Sequence, residues 1–265
     1  MRNCSLLVST CDSYSDLWKP FFTLLNEYWP TIDCPIYLIT ESKKFSFKGL
    51  DIHCPLDFHQ KRTTWSERLL EILEIIDTEY LILILDDFWQ KESVKVFLID
   101  RFLDYVSKDQ DIGFICLRKQ PISTYDKASD KYPELIQYGN RNPYRINAQA
   151  GLWRKSYLHK ILRKHETAWE FEWYGSKRSR FYRNKLYVIK PDSYSIFNYD
   201  SGGVVFRGKF IRSYIDYFKD LNIIIESNRE VEDLNEMRKR YSNSKPNRMK
   251  LTYWINLLKS LGPKC

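Results

Sequence analysis

The run Tyr80-Leu81-Ile82-Leu83-Ile84-Leu85-Asp86-Asp87-Phe88 constrains the fold more than any other stretch of the chain. Large apolar side chains in unbroken succession, with polar sequence before them and two adjacent carboxylates after, describe a strand buried on both faces of a parallel sheet. Such a strand needs helices above and below it, and a chain of 265 residues with 43% hydrophobic content has the material to supply them. In open α/β sheets, ligand sites collect beyond the carboxyl ends of the strands, so Asp86 and Asp87 stand where a site is expected.

The preceding sequence fits that frame. Residues 5–10 form a second buried strand, followed by the polar loop Cys11-Asp12-Ser13-Tyr14-Ser15. Leu17, Phe21, Leu24, Leu25 and Tyr28 then recur at helical spacing, with Pro20 tolerated in the first turn and Trp29-Pro30 closing the helix. Residues 35–40 and 51–56 read as strands, 65–76 and 94–106 as amphipathic helices, and 112–117 as another strand. Strand and helix alternating in this way imply βαβ units joined by right-handed crossovers.

The later sequence is less regular. Residues 118–142 have no periodicity and read as a long surface loop carrying specificity. Residues 144–153 return to strand character, and Ser156 is placed as the cap of a helix ending at Arg163. Residues 187–189 form a late strand, Ser201-Gly202-Gly203 lies in a flexible element able to approach a ligand closely, and 211–221 is helical. The expected division is one α/β domain over residues 1–225 and a C-terminal helical extension over 226–265. That extension ends in the stripe Leu251, Trp254, Ile255, Leu258 and Leu261, with Lys250, Lys259 and Lys264 nearby, which suits either a membrane interface or docking on the domain.

A formal charge of +8 favours an anionic partner. The start Met1-Arg2-Asn3-Cys4 leads directly into a strand and leaves no room for a signal peptide, and no stretch approaches the ~20 apolar residues of a membrane span. Cys4, Cys11, Cys34, Cys54, Cys116 and Cys265 show no paired spacing, so reduced thiols of a cytoplasmic protein are expected. His53, His59, His159 and His165 have no metal-ligand spacing. The absence of a GxSxG elbow, a GxxxxGK[ST] loop or a GxGxxG fingerprint counts against hydrolase, P-loop and dinucleotide readings.

Two carboxylates after a buried strand can hold a divalent cation, Mg²⁺ or Mn²⁺, with Asp87 the candidate ligand, and that cation can neutralise a diphosphate. Arg68, near the start of the helix leading into the central strand, is placed to reach a phosphate or a donor sugar.

The stretch Leu7-Val8-Ser9-Thr10-Cys11-Asp12-Ser13-Tyr14, then Pro35-Ile36-Tyr37-Leu38, then the run ending in Asp86-Asp87, resembles bacterial glycosyltransferases of the GT-A fold over roughly residues 4–210. The resemblance is nearest to enzymes of lipopolysaccharide or capsular polysaccharide assembly. It implies a Rossmann-like, mostly parallel central sheet flanked by helices, and a nucleotide-diphosphate sugar donor. It places Thr10, Cys11 and Asp12 near the base and Asp86 and Asp87 near the sugar nucleotide. It also implies that Glu170 or Glu172, in that order of preference, deprotonates an acceptor hydroxyl in an inverting displacement. The acids are adjacent, with Phe88 where the last residue of an Asp-x-Asp motif falls, so cation-independent stabilisation of the diphosphate by Lys177 and Arg178 stays open beside the cation.

The expected function is therefore glycosyl transfer to a glycan acceptor, lipid-linked, at the inner face of the cytoplasmic membrane. A sugar-nucleotide-forming nucleotidyltransferase shares the sheet and the acids but normally has a glycine-rich loop where this chain has Cys11-Asp12-Ser13-Tyr14. A non-enzymatic basic protein binding nucleic acid or membrane accounts for the charge but not for acids at a strand end, and no nucleic-acid-binding motif is present.

Overall fold

The apolar run forms strand β4 (Tyr80–Leu85) in a computed structural model that describes residues 3–58, 62–241 and 251–262. Its neighbour β1 (Cys4–Ser9) runs parallel to it, and β2 (Ile36–Ile39) and β3 (Ile52–His53) extend the sheet beyond β1. Alternation of side chains sends Leu6, Val8, Ile82 and Ile84 to one face and Leu7, Leu81 and Leu83 to the other. The first set packs under α1 (Trp18–Tyr28) and α3 (Val96–Lys108). The second packs under α2 (Trp65–Ile75), α4 (Lys155–Ile161) and α5 (Ala168–Arg178). Both faces of β4 are thus sealed, and truncating any of these leucines or isoleucines to alanine costs about 2–5 kcal/mol.

Local chemistry sets the helix ends. Pro20 is the third residue of α1, where its missing amide hydrogen forfeits no helical bond, and the Trp29 amide closes the helix on Leu25 O at 2.8 Å. Thr64 caps α2 by accepting the Glu67 amide at 3.0 Å.

The remaining strands are β5 (Ile112–Cys116), β6 (Lys127–Ala128), β7 (Leu135–Gln137), β8 (Gly151–Arg154) and β9 (Lys185–Ile189). Among the described residues the sheet order is β3-β2-β1-β4-β8-β5-β9-β7-β6, with β8 and β7 antiparallel to their neighbours. The chain builds outward from β1 through β2 and β3, then returns to lay β4 on the other side of β1. This reversal opens a crevice at the carboxyl ends of β1 and β4. In the β1–β4 register Ser9 is opposite Leu85, so the next residues, Thr10 and Asp86, meet at that opening.

Three sequence expectations between residues 118 and 163 need correction. Residues 118–142 are not all surface loop: β6 and β7 extend the sheet beyond β9, and Leu135 and Tyr138 are buried. Strand character over 144–153 survives only in β8, because side chains take the preceding amides. Ile146 N donates to Ser176 Oγ at 3.0 Å, Ala148 N to Glu172 Oε1 at 2.7 Å and Ala150 N to Tyr199 Oη at 2.8 Å. Ser156 caps nothing, since α4 begins directly at Lys155 where β8 ends.

A small sheet of β10 (Val205–Phe206), β11 (Lys209–Ile211) and β12 (Val231–Glu232) leads into α6 (Arg212–Asp220). Trp89 joins it to the main body, its ring 6.2 Å from that of Phe210 and 5.1 Å from that of Phe218. The segment after residue 225 is therefore not helical from its start, since β12 pairs with β11 across that boundary. Beyond it lie α7 (Leu234–Tyr241) and α8 (Leu251–Leu261).

Helix α8 docks on α5. Ser260 is fully buried, its carbonyl taking the Arg178 guanidinium at 2.6 Å and its hydroxyl meeting His165 Nε2 at 3.0 Å. Ile255, Leu258 and Leu261 remain exposed, whereas Lys250, Lys264 and the side chains of Leu251 and Trp254 lie outside the described residues, as do His59 and Cys265. Cys4, Cys34 and Cys116 are packed in the core, and burial pushes the Cys116 thiol up to about 12. Among the described residues, no helix is long and apolar enough to cross a membrane.

Candidate active site

A cleft of about 730 Å³ opens at the carboxyl ends of β1 and β4. Its floor is Ser9, Thr10, Cys11, Leu85, Asp86 and Asp87. One wall is the first turns of α5 with Ala148 and Gln149, and the other is Tyr14 with the 201–207 segment. The volume is within the ~300–1,000 Å³ range of small-molecule sites.

Asp86 is held by the strand register. The Thr10 hydroxyl donates to Asp86 Oδ2, and Trp18 Nε1 donates to Thr10 Oγ1 at 2.7 Å. Burial raises the pKa of Asp86 well above that of an ordinary carboxylate, and the neighbouring Asp87 charge adds to the rise. Asp87 packs on Gly203, where a Cβ would collide with Asp87 Oδ2 and where φ is +70°. Only glycine meets both conditions there. Burial pushes Asp87 up to about 7, and its Oδ1 has no hydrogen-bond partner.

That orphaned oxygen bears on a metal. Among the described residues there is no group of three or more His, Cys, Asp or Glu side chains able to hold an ion. Asp87 does fit as one protein ligand of a hard cation that fills its other positions with water and the phosphate oxygens of a substrate.

Glu170 and Glu172, two residues apart on α5, have different surroundings. Glu170 closes a capping box: its carboxylate accepts Thr167 N at 2.9 Å and Thr167 Oγ1 at 3.0 Å, while Thr167 Oγ1 accepts Glu170 N at 3.3 Å. Glu172 lines the cleft, and burial raises its pKa against the opposing effect of the Ala148 amide. Of the two glutamates, Glu172 and not Glu170 lines the cleft.

The other sequence candidates divide in the same way. Thr10 and Cys11 line the cleft, and burial raises the Cys11 thiol pKa. Asp12 does not line it. Its carboxylate takes the amides of Glu41, Ser42 and Lys43 at 2.9–3.1 Å and the Ser42 hydroxyl at 2.7 Å. Burial alone would raise the Asp12 pKa, but those bonds outweigh it and lower it. Arg68 is also a clamp, buried against Glu41 at 3.1 Å and the Thr10 carbonyl at 3.3 Å. Together Asp12 and Arg68 hold the floor of the cleft without lining it.

Lys177 and Arg178 lie away from the cleft. Lys177 Nζ sits 4.5 Å over the Trp173 ring. Arg178 forms a two-pronged pair with Glu166, both bonds 2.8 Å, with side-chain exposures of 2% and 0%. Its Nε donates to Ile161 O at 2.9 Å. The run Lys-Arg-Ser-Arg resembles a solvated face in sequence because nothing local announces Glu166 as a partner.

Sequence reasoning missed Arg207. Among the described residues lining the cleft it is the only lysine or arginine. It sits with Gly208 in the two-residue turn of the β10–β11 hairpin, where both have positive φ, 51° and 81°, as a type I′ turn requires. Arg-Gly between Val-Phe and Lys-Phe was the signal that could have found it. Arg229 braces this hairpin from behind. It donates to Gly208 O at 3.1 Å, Ser13 O at 2.7 Å and Asp16 at 2.7 and 2.9 Å, and lies 4.3 Å over the Tyr14 ring. Trp65, whose indole donates to Ser9 Oγ at 2.8 Å, and Trp169, 80% exposed, complete the aromatic lining.

No protein-family model matches the sequence, and no curated protein matches it. Solved structures do. S. aureus TarS 1–349 in complex with UDP has a TM-score of 0.52 at 11% identity, covering 97% of this chain and 79% of that one. The same protein in complex with UDP-GlcNAc has a TM-score of 0.51 at 10% identity, with the same coverage. In the longer TarS crystal structure, 98% of this chain covers 48% of that chain, so it spans about half the length of that neighbour. The fold is that of GT-A glycosyltransferases: a mixed α/β architecture with a large central sheet flanked by helices.

Proposed function

We propose that the chain is a glycosyltransferase that moves a sugar from a nucleotide-diphosphate donor to a hydroxyl of a glycan acceptor, with inversion. The observation that carries this is a desolvated carboxylate, Glu172, facing the same cleft as the Asp86–Asp87 floor at the switch point of the sheet. A general base needs a pKa raised toward its working pH, and burial gives Glu172 a shift in that direction.

In this mechanism the acceptor hydroxyl gives its proton to Glu172 as its oxygen bonds to the anomeric carbon. The bond from that carbon to the donor's diphosphate oxygen breaks, and the electron pair leaves with the diphosphate. Arg207, at the cleft edge, supplies positive charge to the departing group. Asp87, with its unpartnered oxygen, would hold Mg²⁺ or Mn²⁺, which when bound neutralises diphosphate charge. The Thr10 and Cys11 side of the cleft receives the nucleotide.

The acceptor belongs to bacterial surface polysaccharide assembly and is lipid-linked, with the enzyme peripheral at the cytoplasmic face of the membrane. The polysaccharide type rests on the sequence resemblance. The membrane surface is supported by the charge of +8 and by exposed Ile255 and Leu258 on α8.

A melting-temperature panel of nucleoside diphosphates and their sugars, UDP and UDP-GlcNAc among them, with and without Mg²⁺ or Mn²⁺, tests the donor site. At least one nucleotide is expected to raise the melting temperature, with Arg207→Ala reducing the shift and Asp87→Asn removing its cation-dependent part. A chain whose melting no nucleotide moves is not this enzyme.

A further inference from the structure

A second cavity, about 320 Å³, is lined by Gln120, Ile122, Tyr138, Asn142 and Tyr144, none of which lines the donor cleft. Its wall is prebuilt. Asp126 accepts the amides of Ser123 and Gly139, each at 2.8 Å, and the Asn142 side chain at 2.9 Å, which fixes the loop around the opening. The cavity is at the lower end of the ~300–1,000 Å³ range of small-ligand sites.

Its chemistry is selective. None of the residues lining it carries a formal charge. One polar atom of the lining residues, Gln120 Nε2, is buried without a hydrogen-bond partner. Tyr138 contributes its ring to the wall, its hydroxyl being turned to Cys116 and Asn147. Ile122 is 38% exposed and Tyr144 54%, so the rim is apolar and open. Uncharged hydrogen-bonding groups beside an apolar, aromatic rim suit a molecule with hydroxyls at its edges and C–H faces between them. That description fits a neutral sugar ring and excludes a phosphate or an extended acyl chain.

One aromatic contact runs from the cavity to the helix that carries the proposed base. Trp173 follows Glu172 on α5, and its ring lies 6.4 Å from that of Tyr144. Trp169, one helical turn earlier, lines the donor cleft. Trp169 and Trp173, one turn apart on α5, and Tyr144 therefore give an aromatic path between the cleft and the second cavity, with Lys177 Nζ 4.5 Å over the Trp173 ring.

We propose that this path and cavity are a sugar subsite for the acceptor, holding a neutral residue at least one unit away from the accepting hydroxyl. The inference rests on the transferase reading of the cleft and adds that the acceptor is an extended, uncharged oligosaccharide. The 118–142 segment, read from sequence as carrying specificity, supplies most of the cavity wall.

The test is a glycan array of neutral hexose, N-acetylhexosamine and deoxyhexose oligosaccharides of one to six units, probed with the full chain, Tyr144→Ala and Gln120→Ala. Retention of at least one oligosaccharide, none of its monosaccharide, and at least tenfold weaker retention by Tyr144→Ala supports the subsite. Unchanged nucleotide-induced melting in the variants shows that they are folded. If no oligosaccharide is retained, or both variants retain it as the parent does, the subsite is overturned. Nucleotide shifts without glycan retention keep the transferase reading and discard this one. Glycan retention at Tyr144 with no nucleotide shift overturns the transferase reading and, with it, the acceptor role of this site.

Discussion

The two ends of α5 carry charges largely removed from water and use them in opposite ways. At the C-terminal end Arg178 is bonded to both oxygens of Glu166 and to the carbonyls of Ile161 and Ser260, so its guanidinium is saturated and joins α5 to α8. Toward the N-terminal end Glu172 receives one amide hydrogen, from Ala148, and faces a cleft with two further raised carboxyls. Burial with complete pairing makes a strut. Burial with incomplete pairing shifts a proton equilibrium and leaves a group able to react.

The largest effect should come from the incomplete end. Glu172→Gln keeps the side-chain shape and removes the proton acceptor, so transfer should fall by up to about 10⁴-fold. Its nucleotide-induced melting shift should match that of the parent. The pH profile sharpens the assignment: since burial raises the Glu172 pKa from its ordinary 4.5, the acid limb of the parent rate should rise through a value above 4.5. The stability effect has the other sign. A carboxyl whose folded pKa lies above its unfolded value contributes stability that is full below the unfolded value and is lost as pH rises through the folded one. Glu172→Gln should lack that loss, so its melting temperature should gain on the parent as pH climbs from below 4.5 toward neutrality. Identical pH dependence in the two proteins would place Glu172 in contact with solvent and remove its claim as base.

The complete end should break differently. Arg178→Ala leaves Glu166 buried without a counter-charge and should cost about 3–5 kcal/mol of stability in urea denaturation. Replacing both partners with apolar residues, as in Arg178→Met with Glu166→Leu, should recover most of it, because no lone charge then remains buried. If Arg178→Ala instead melted normally and lost donor binding, the strut assignment would fall, and the original placement of Arg178 on the diphosphate would return.

The same contrast explains what was legible in the sequence. Burial of β4 and β1 was written in unbroken apolar runs, and the position of Asp86 and Asp87 followed from the strand that carries them. The helices over 18–28 and 65–75 were set by apolar spacing and local end signals. Pairing over long sequence distances was not legible. Nothing near Asp12 points to the amides of residues 41–43, and nothing near Arg68 points to Glu41. Both therefore read as ligand-binding groups when they are clamps. On α5 the signal that separates the two glutamates is local and could have been read: Thr167-Ala168-Trp169-Glu170 has the spacing of a capping box. Recognising it consumes Glu170 and turns Glu172, about 200° further around the axis, to a different face.

Glu170→Ala is the smallest perturbation and the most discriminating. It removes one side of the capping box but leaves Thr167 Oγ1 accepting the Glu170 amide, so the helix should lose about 1 kcal/mol or less. Thr167, Ala168 and Trp169 line the cleft, so some fraying there should raise the KM for acceptor while leaving kcat within a few-fold of the parent. The comparison within α5 requires this split between the two glutamates. A Glu170→Ala protein that melts like the parent yet loses turnover as severely as Glu172→Gln would mean that the cap opens during the reaction and Glu170 swings to the acceptor. The completeness of pairing in the resting structure would then no longer separate support from chemistry at this end of the helix.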